Sequence, residues 1–381
     1  MAAISANKIV RRPHRVRLAL ILVGLGGVVV TGFRLPGETP NDLMKKRAAE
    51  WIGISIPDQP DAPLVKKGDP GTEDIKYGFE TGCVLKLNGT YHWFTSEFLS
   101  DPLWVKTRLA HWASRDGKAW KRLGTLYESS GNYDGTDIRA SFFGPMPIYN
   151  EKCGRWDLFY SSARCQPNTA TEWLNNYEMR IWRAVSKISG RDGFGGPYED
   201  IGVVLQPGKE SGSWEGLQGV DSFFPYRAGG RWYAFHGSAT TEKRPMSWSV
   251  GLASAPDLAG PWRRLPRLSP VVLDTPHDVE NPIVECLKSG LYIAVFDVLT
   301  RPFAFGYTVS EDGIHWSRAS YIDMKRTPDL WVKDARTPLG LVEESDGTFT
   351  CFYTGYGTDA YSGYGCLGVL TLKLNEFPRN R

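Results

Sequence analysis

Three acidic residues stand at matching places in this chain. Glu80 lies nine residues before Gly89, Asp221 nine before Gly230, and Glu280 ten before Gly290, and each opens a short apolar stretch. Carboxyl groups that share one environment split their pKa values, so that one keeps its proton while another ionises. Such a pair can protonate a leaving oxygen on one side and supply a base or nucleophile on the other. That is the requirement for cleaving a glycosidic bond, where the separation of the two groups decides inversion or retention. An acid at a strand start is more often a turn or cap residue. Repetition of the position in three places sets these three apart.

Further side chains qualify as binding groups. Arg336, two residues after Asp334, can pair with a carboxylate or clamp a substrate oxygen, or serve only in a structural ion pair. Asp137, before Arg139-Ala-Ser-Phe-Phe, is the nearest candidate for a fourth acid. His236 and His277 are candidates for the same cleft, although a lone His more often satisfies a structural contact. Trp93, Trp214 and Trp331 are candidate platforms for sugar faces, while most of the 14 Trp must fill a core.

The elements that must position these groups repeat. Asp221-Ser-Phe-Phe-Pro-Tyr-Arg-Ala-Gly-Gly-Arg-Trp-Tyr-Ala-Phe-His236 reads as two strands with a glycine turn between them. The phrase returns from Glu80 to Phe94 and from Glu280 to Phe296. Looser copies run from Phe142 to Tyr160 and from Asp334 to Tyr353. Five hairpins at a roughly constant interval predict an all-β, five-bladed β-propeller over 79–381. In a propeller the innermost strands line a central channel, so acids far apart in sequence converge at one mouth.

Lys8, Arg11, Arg12, Arg15 and Arg17 precede Leu18-Ala-Leu-Ile-Leu-Val-Gly-Leu-Gly-Gly-Val-Val-Val30, with no acid before residue 33. Residues 1–32 therefore read as a signal peptide or an uncleaved membrane anchor, with a buried helix as the minor reading. Either of the first two places the propeller outside the cytoplasm. The formal charge of +3 comes from this segment; the remainder is close to neutral, which excludes a nucleic-acid surface. Residues 33–78, punctuated by Pro36, Pro40, Pro57, Pro60, Pro63 and Pro70, read as a linker or stalk, or as a segment packed along the propeller. Of six Cys, the sequence-local pairs Cys153 with Cys165 and Cys351 with Cys366 are the disulfides to test first. No CxxC occurs, and no metal site is predicted.

Two outer-turn motifs carry a family likeness. Ser114-Arg-Asp-Gly-Lys-Ala-Trp120 recurs as Ser310-Glu-Asp-Gly-Ile-His-Trp316, and Ser186 to Gly196-Pro197-Tyr198 recurs as Ser254 to Gly260-Pro261-Trp262. With the acid-opened hairpins, these resemble the five-bladed propeller glycoside hydrolases of families 43, 32 and 68 over residues 79–375. The sucrose-cleaving motifs of that group are missing. The resemblance implies Glu80 as base, Asp221 as general acid, and Glu280 as an alternative acid. It implies no organic cofactor and allows a Ca²⁺ or Na⁺ in the channel.

The expected activity is hydrolysis of an oligo- or polysaccharide by an extracytoplasmic enzyme. Two alternatives stay open. One is a phosphorolytic or transglycosylating enzyme, in which Arg139, His277 and Arg336 would hold phosphate. The other is a non-catalytic carbohydrate-binding propeller.

Overall fold

The computed structural model describes residues 52–269, 272–360 and 362–376. The basic and apolar N-terminal segment lies outside them. Among the described residues no helix is long and apolar enough to cross a membrane.

Five antiparallel four-stranded blades form the molecule. Blade one runs β2 (Gly78–Leu87), β3 (Thr90–Phe98), β4 (Thr107–Ser114) and β5 (Lys121–Glu128). Blade two is β6 (Ser141–Asn150), β7 (Arg155–Arg164), β8 (Tyr177–Ser189) and β9 (Tyr198–Leu205). Blade three is β10 (Asp221–Ala228), β11 (Arg231–Ala239), β12 (Trp248–Ala255) and β13 (Arg263–Arg264). Blade four is β14 (Val279–Cys286), β15 (Tyr292–Val298), β16 (Ala304–Ser310) and β17 (Ser320–Asp323). Blade five holds β18 (Asp334–Glu343), β19 (Phe349–Tyr356) and β20 (Gly365–Glu376), and takes its fourth strand from β1 (Ile52–Asp58). Blades five and one touch at the paired Gly78 and Gly365.

The strand β1 corrects the expected boundary. Residues 52–78 are part of the propeller rather than a linker. Ile52, Ile54 and Ile56 pack on the core of blades four and five, and Val65 bridges Leu367. Pairing the N-terminal strand with the last blade closes the ring and covers the edge of β20, which would otherwise offer unpaired backbone groups.

The outer-turn motifs are structural. Asp116 Oδ1 accepts backbone N–H bonds from Lys118 and Ala119 at 2.9 and 2.8 Å, and Asp312 Oδ1 accepts them from Ile314 and His315 at 2.8 Å each. These bonds tighten the turn between the two outer strands. The motif's tryptophan then wedges against the preceding blade: Trp316 packs on Tyr226 and Phe235, and Trp120 on Phe352.

All six cysteines are free, which overturns both expected disulfides. Cys153 sits in the β6–β7 turn and Cys165 just beyond the far end of β7, so one strand length separates them. Cys351 lies opposite Leu370 and Cys366 opposite Gly355, so the two are several registers apart on neighbouring strands.

Ring closure has a measurable consequence. A chain that starts after Asp58 loses the β1 ladder and its three isoleucines. It is expected to melt lower by about 5 °C or more, and to associate through the bared β20 edge. Differential scanning calorimetry and light scattering, against a chain starting before Ile52, check this.

Candidate active site

The innermost strand of every blade carries the same defect. The pairing register slips by one residue after Glu80 in β2, Phe143 in β6, Asp221 in β10, Glu280 in β14 and Arg336 in β18. An extra residue on one strand bends it and re-aims the side chains at that point. The following residue has positive φ in each case: Thr81, Gly144, Ser222, Asn281 and Thr337. At Gly82, which shares the first bulge, an added Cβ would stand 2.0 Å from the Phe94 carbonyl oxygen, so only glycine fits there. Five equivalent positions thus face the channel mouth, filled by Glu, Phe, Asp, Glu and Arg.

Arg336 organises this ring. Its Nη2 lies 3.3 Å from Glu280 Oε2 and 4.0 Å from Glu80 Oε1, and its Nε lies 3.4 Å from Asp297 Oδ2. Asp297 is fully buried on β15 directly opposite Glu280. Tyr356 donates its hydroxyl to Glu80 Oε2, and Thr337 donates to Glu80 Oε1 at 3.3 Å. Asp221 accepts from Ser161 Oγ at 2.9 Å. Beneath them Ser222 donates to Asn281 Oδ1 at 2.9 Å, and Asn281 Nδ2 donates to Thr337 Oγ1 at 3.2 Å and to Asp297 Oδ2 at 3.3 Å. The bulge residues therefore form their own hydrogen-bonded layer, which holds the carboxyl groups above.

Burial raises all three acids. Glu80 is pushed up to about 7 by burial, against the lowering effects of Arg336 and the Tyr356 hydroxyl. Glu280 is raised well above the usual carboxyl range by burial and by Asp297, with Asp221 and Glu80 adding to the rise and Arg336 opposing it. Asp221 is raised by burial, against its bonds from the Ser222 N–H and Ser161. Burial alone would lower Arg336, but Glu80, Asp297, Glu280 and Asp334 together hold it firmly protonated. The cluster can keep one carboxyl protonated beside an ionised one, as acid–base catalysis needs.

A pocket open to solvent stands above the ring. Glu80, Asp221, Glu280 and Arg336 form its floor, and Trp104, Trp173 and Trp248 its aromatic walls. Four of the residues singled out in the sequence therefore converge. The others go elsewhere. Asp137 is in the loop before β6, where it accepts from Ser130 and the Arg139 N–H; the blade-two ring position belongs to Phe143. Arg139 pairs with Asp200 at 3.0 Å and lies over the rings of Phe142 and Trp182. Trp93 is fully buried between Phe79, Trp112 and Trp120 as blade core. His236 is fully buried and stacked on Trp214, and Trp331 stacks on Tyr353. His277 bonds Thr300 at 2.7 Å and does not line the pocket.

Arg139, His277 and Arg336 consequently do not meet, so the phosphate-holding cluster is not assembled. Among the described residues no group of three or more His, Cys, Asp or Glu converges with metal-binding geometry. Sequence reasoning missed Asp297, Tyr356 and the three wall tryptophans. Asp297 had one signal, a lone acid inside the apolar run Tyr292-Ile-Ala-Val-Phe-Asp-Val298.

No family model matches the sequence, and no curated protein matches it. Solved structures do match the fold. Zg3597, a family 117 glycoside hydrolase from Zobellia galactanivorans, superposes with a TM-score of 0.57 at 15% identity, over 84% of this chain and 90% of that one. An α-L-arabinofuranosidase from Lactobacillus brevis gives 0.52 at 13% identity, over 77% and 91%. The GH43_1 enzyme from Xanthomonas citri, complexed with xylotriose, gives 0.51 at 14% identity, over 83% and 89%. The expected fold, the five-bladed propeller of these glycoside hydrolases, is the fold of this chain.

The buried carboxyls make stability depend on pH. Glu80 has a folded pKa near 7, above its unfolded value of 4.5, so its contribution to stability is fully present below pH 4.5 and is lost as pH rises toward 7. The loss is on the order of 3 kcal/mol. Glu80→Gln removes the charge and keeps one acceptor oxygen, with the other hydroxyl turning to accept from the amide N–H. It is expected to be more stable than wild type at pH 8 and equal to it at pH 4.5, which urea unfolding at the two pH values checks.

Proposed function

We propose that this protein is a glycoside hydrolase that cleaves by acid–base catalysis at the propeller channel, with Glu280 as the general acid and Glu80 as the base or nucleophile. One observation carries the reading: three carboxyl groups and one guanidinium buried together on the floor of an aromatic-walled pocket. The named activities of the fold's neighbours, a family 117 glycoside hydrolase and an arabinofuranosidase, support it by analogy.

The roles follow from surroundings. Glu80 receives two hydroxyl hydrogen bonds and faces Arg336, which favour its ionised form once the pH reaches about 7. Burial raises Glu280 well above the usual carboxyl range, and Asp297, Asp221 and Glu80 add to the rise, so that it favours its protonated form. It can then donate its proton to the leaving glycosidic oxygen while Glu80 attacks the anomeric carbon or deprotonates the water that does. Asp221 acts on Glu280 at a distance, since its negative charge raises the acid's affinity for the proton. This gives the acid role that the resemblance implied for Asp221 to the alternative, Glu280. The basic and apolar N-terminus supports an extracytoplasmic site of action on external carbohydrate.

Product release from a panel of furanoside, pyranoside and polysaccharide substrates, with and without phosphate, tests the activity. Glu280→Gln and Glu80→Gln are each expected to lower kcat/KM by about 10³-fold or more, within the range of lost acid–base and nucleophilic catalysis. Activity unchanged in both folded variants, or turnover that requires phosphate, refutes the reading. The wild-type profile should rise through about pH 7 as Glu80 ionises, and its falling limb should report Glu280 losing its proton. Asp221→Asn removes a charge that raises Glu280, so the falling limb should move to lower pH while the rising limb stays.

A further inference from the structure

The five blades provide an internal comparison. Directly opposite the bulge position of each inner strand stands one residue of the second strand. It is Ser96 for Glu80, Ser161 for Phe143, Gly237 for Asp221, Asp297 for Glu280 and Thr354 for Arg336. Space is short there. Ser96, Ser161, Asp297 and Thr354 are all buried, and an added Cβ at Gly237 would stand 3.0 Å from the Ser222 hydroxyl. Four blades meet this demand with a small neutral residue, and blade four carries an acid. Burying an acid that pairs with a cation costs far more than burying a hydroxyl. Asp297 Oδ1 has no hydrogen-bond partner to offset that cost. The fold does not call for an acid at this place, and the reason for it lies in what the other oxygen touches.

Asp297 Oδ2 accepts from Arg336 Nε at 3.4 Å and from Asn281 Nδ2 at 3.3 Å. A guanidinium is a rigid plane, so holding it at Nε sets the direction of its far N–H groups. From that anchor Nη2 lies 3.3 Å from Glu280 Oε2 and 4.0 Å from Glu80 Oε1. The second contact leads to the same place: Asn281 Nδ2 also donates to Thr337 Oγ1, whose hydroxyl donates to Glu80. Asp297 is fully buried and does not line the pocket, so it acts only through these neighbours.

We propose that Asp297 is a positioning residue: paired with Arg336 at Nε, it aims the guanidinium at Glu80 and Glu280 without itself touching substrate. The inference rests on the glycosidase reading for its kinetic consequence and on the pairing alone for its structural one. The charge on Asp297 has a separate effect on the groups that face it, Glu80, Asp221, Glu280, Asp334 and Arg336. Burial is the first cause of the raised pKa values of the four acids, and Asp297 adds to each, while Arg336 opposes the rise in Glu80, Glu280 and Asp334.

Two variants separate aim from charge. Asp297→Ser installs the residue that blades one and two carry at this place and withdraws the acceptor from Arg336 Nε. Asp297→Asn keeps an acceptor oxygen and removes the charge. Each is compared with wild type by crystal structure, by thermal melting and by initial rates across pH on a glycan that wild type hydrolyses. Asp297→Ser is expected to fold, with Arg336 Nη2 no longer within 4.0 Å of both floor acids. Its kcat should fall by about tenfold or more with KM little changed, since a displacement of about 1 Å can cost on the order of 100-fold. In Asp297→Asn, Arg336 should stay in place while both limbs of the pH profile move to lower pH, a shift that a residue needed only for folding does not produce. An unmoved Arg336 in Asp297→Ser, wild-type kcat beside a displaced one, or an unmoved pH profile in Asp297→Asn overturns the inference. So does a loss of activity that merely follows the loss of folded protein in both variants. If wild type hydrolyses no glycan of the panel, the glycosidase reading fails and the crystal structure of Asp297→Ser decides the positioning: a displaced Arg336 upholds it, and an unmoved one overturns it.

Discussion

A single guanidinium stands among more carboxyl groups than it can neutralise, and the chemistry of the channel mouth follows from that shortage. Arg336 is within 4.0 Å of Glu80, Glu280 and Asp297, and Asp221 completes the group through Ser161 rather than through a cation. Burying an unpaired carboxylate is far costlier than burying a carboxylic acid. With one cation among the described residues of the cluster, some of these groups must keep their protons. Local bonding separates them: two hydroxyls favour charge on Glu80, while burial and opposing carboxylates favour the proton on Glu280. Two side chains of one type thereby differ in their hold on a proton.

The backbone makes such crowding feasible. A bulge at one position in five strands brings five side chains to the same depth around one axis. The residue after each bulge sits at positive φ, and Ser222, Asn281 and Thr337 use that conformation to bond one another and Glu80. Fold symmetry thus supplies equivalent positions, and function arises where their occupants differ. Phe143 is the clearest instance: the blade-two position is apolar, and the ring has an acid-free side there.

The sequence revealed the ring because the count from an acid to its turn glycine is a position along the inner strand. Glu80, Asp221 and Glu280 were found by that count, and Arg336 by its place at the start of the fifth hairpin. Counted back in the same way, Gly154 leads to the neighbourhood of Phe143 rather than to Asp137, because the acid pattern breaks in blade two. Asp297 and Tyr356 were hidden because they reach the site across the sheet, from second strands, and one-dimensional spacing does not register such pairings. Trp104, Trp173 and Trp248 lie in connections of unequal length, with no period to follow. The alternation Ile52-Gly-Ile-Ser-Ile56 has a strand's pattern, but its partner is at the other end of the chain. Nothing local distinguishes it from a stretch within a proline-punctuated linker.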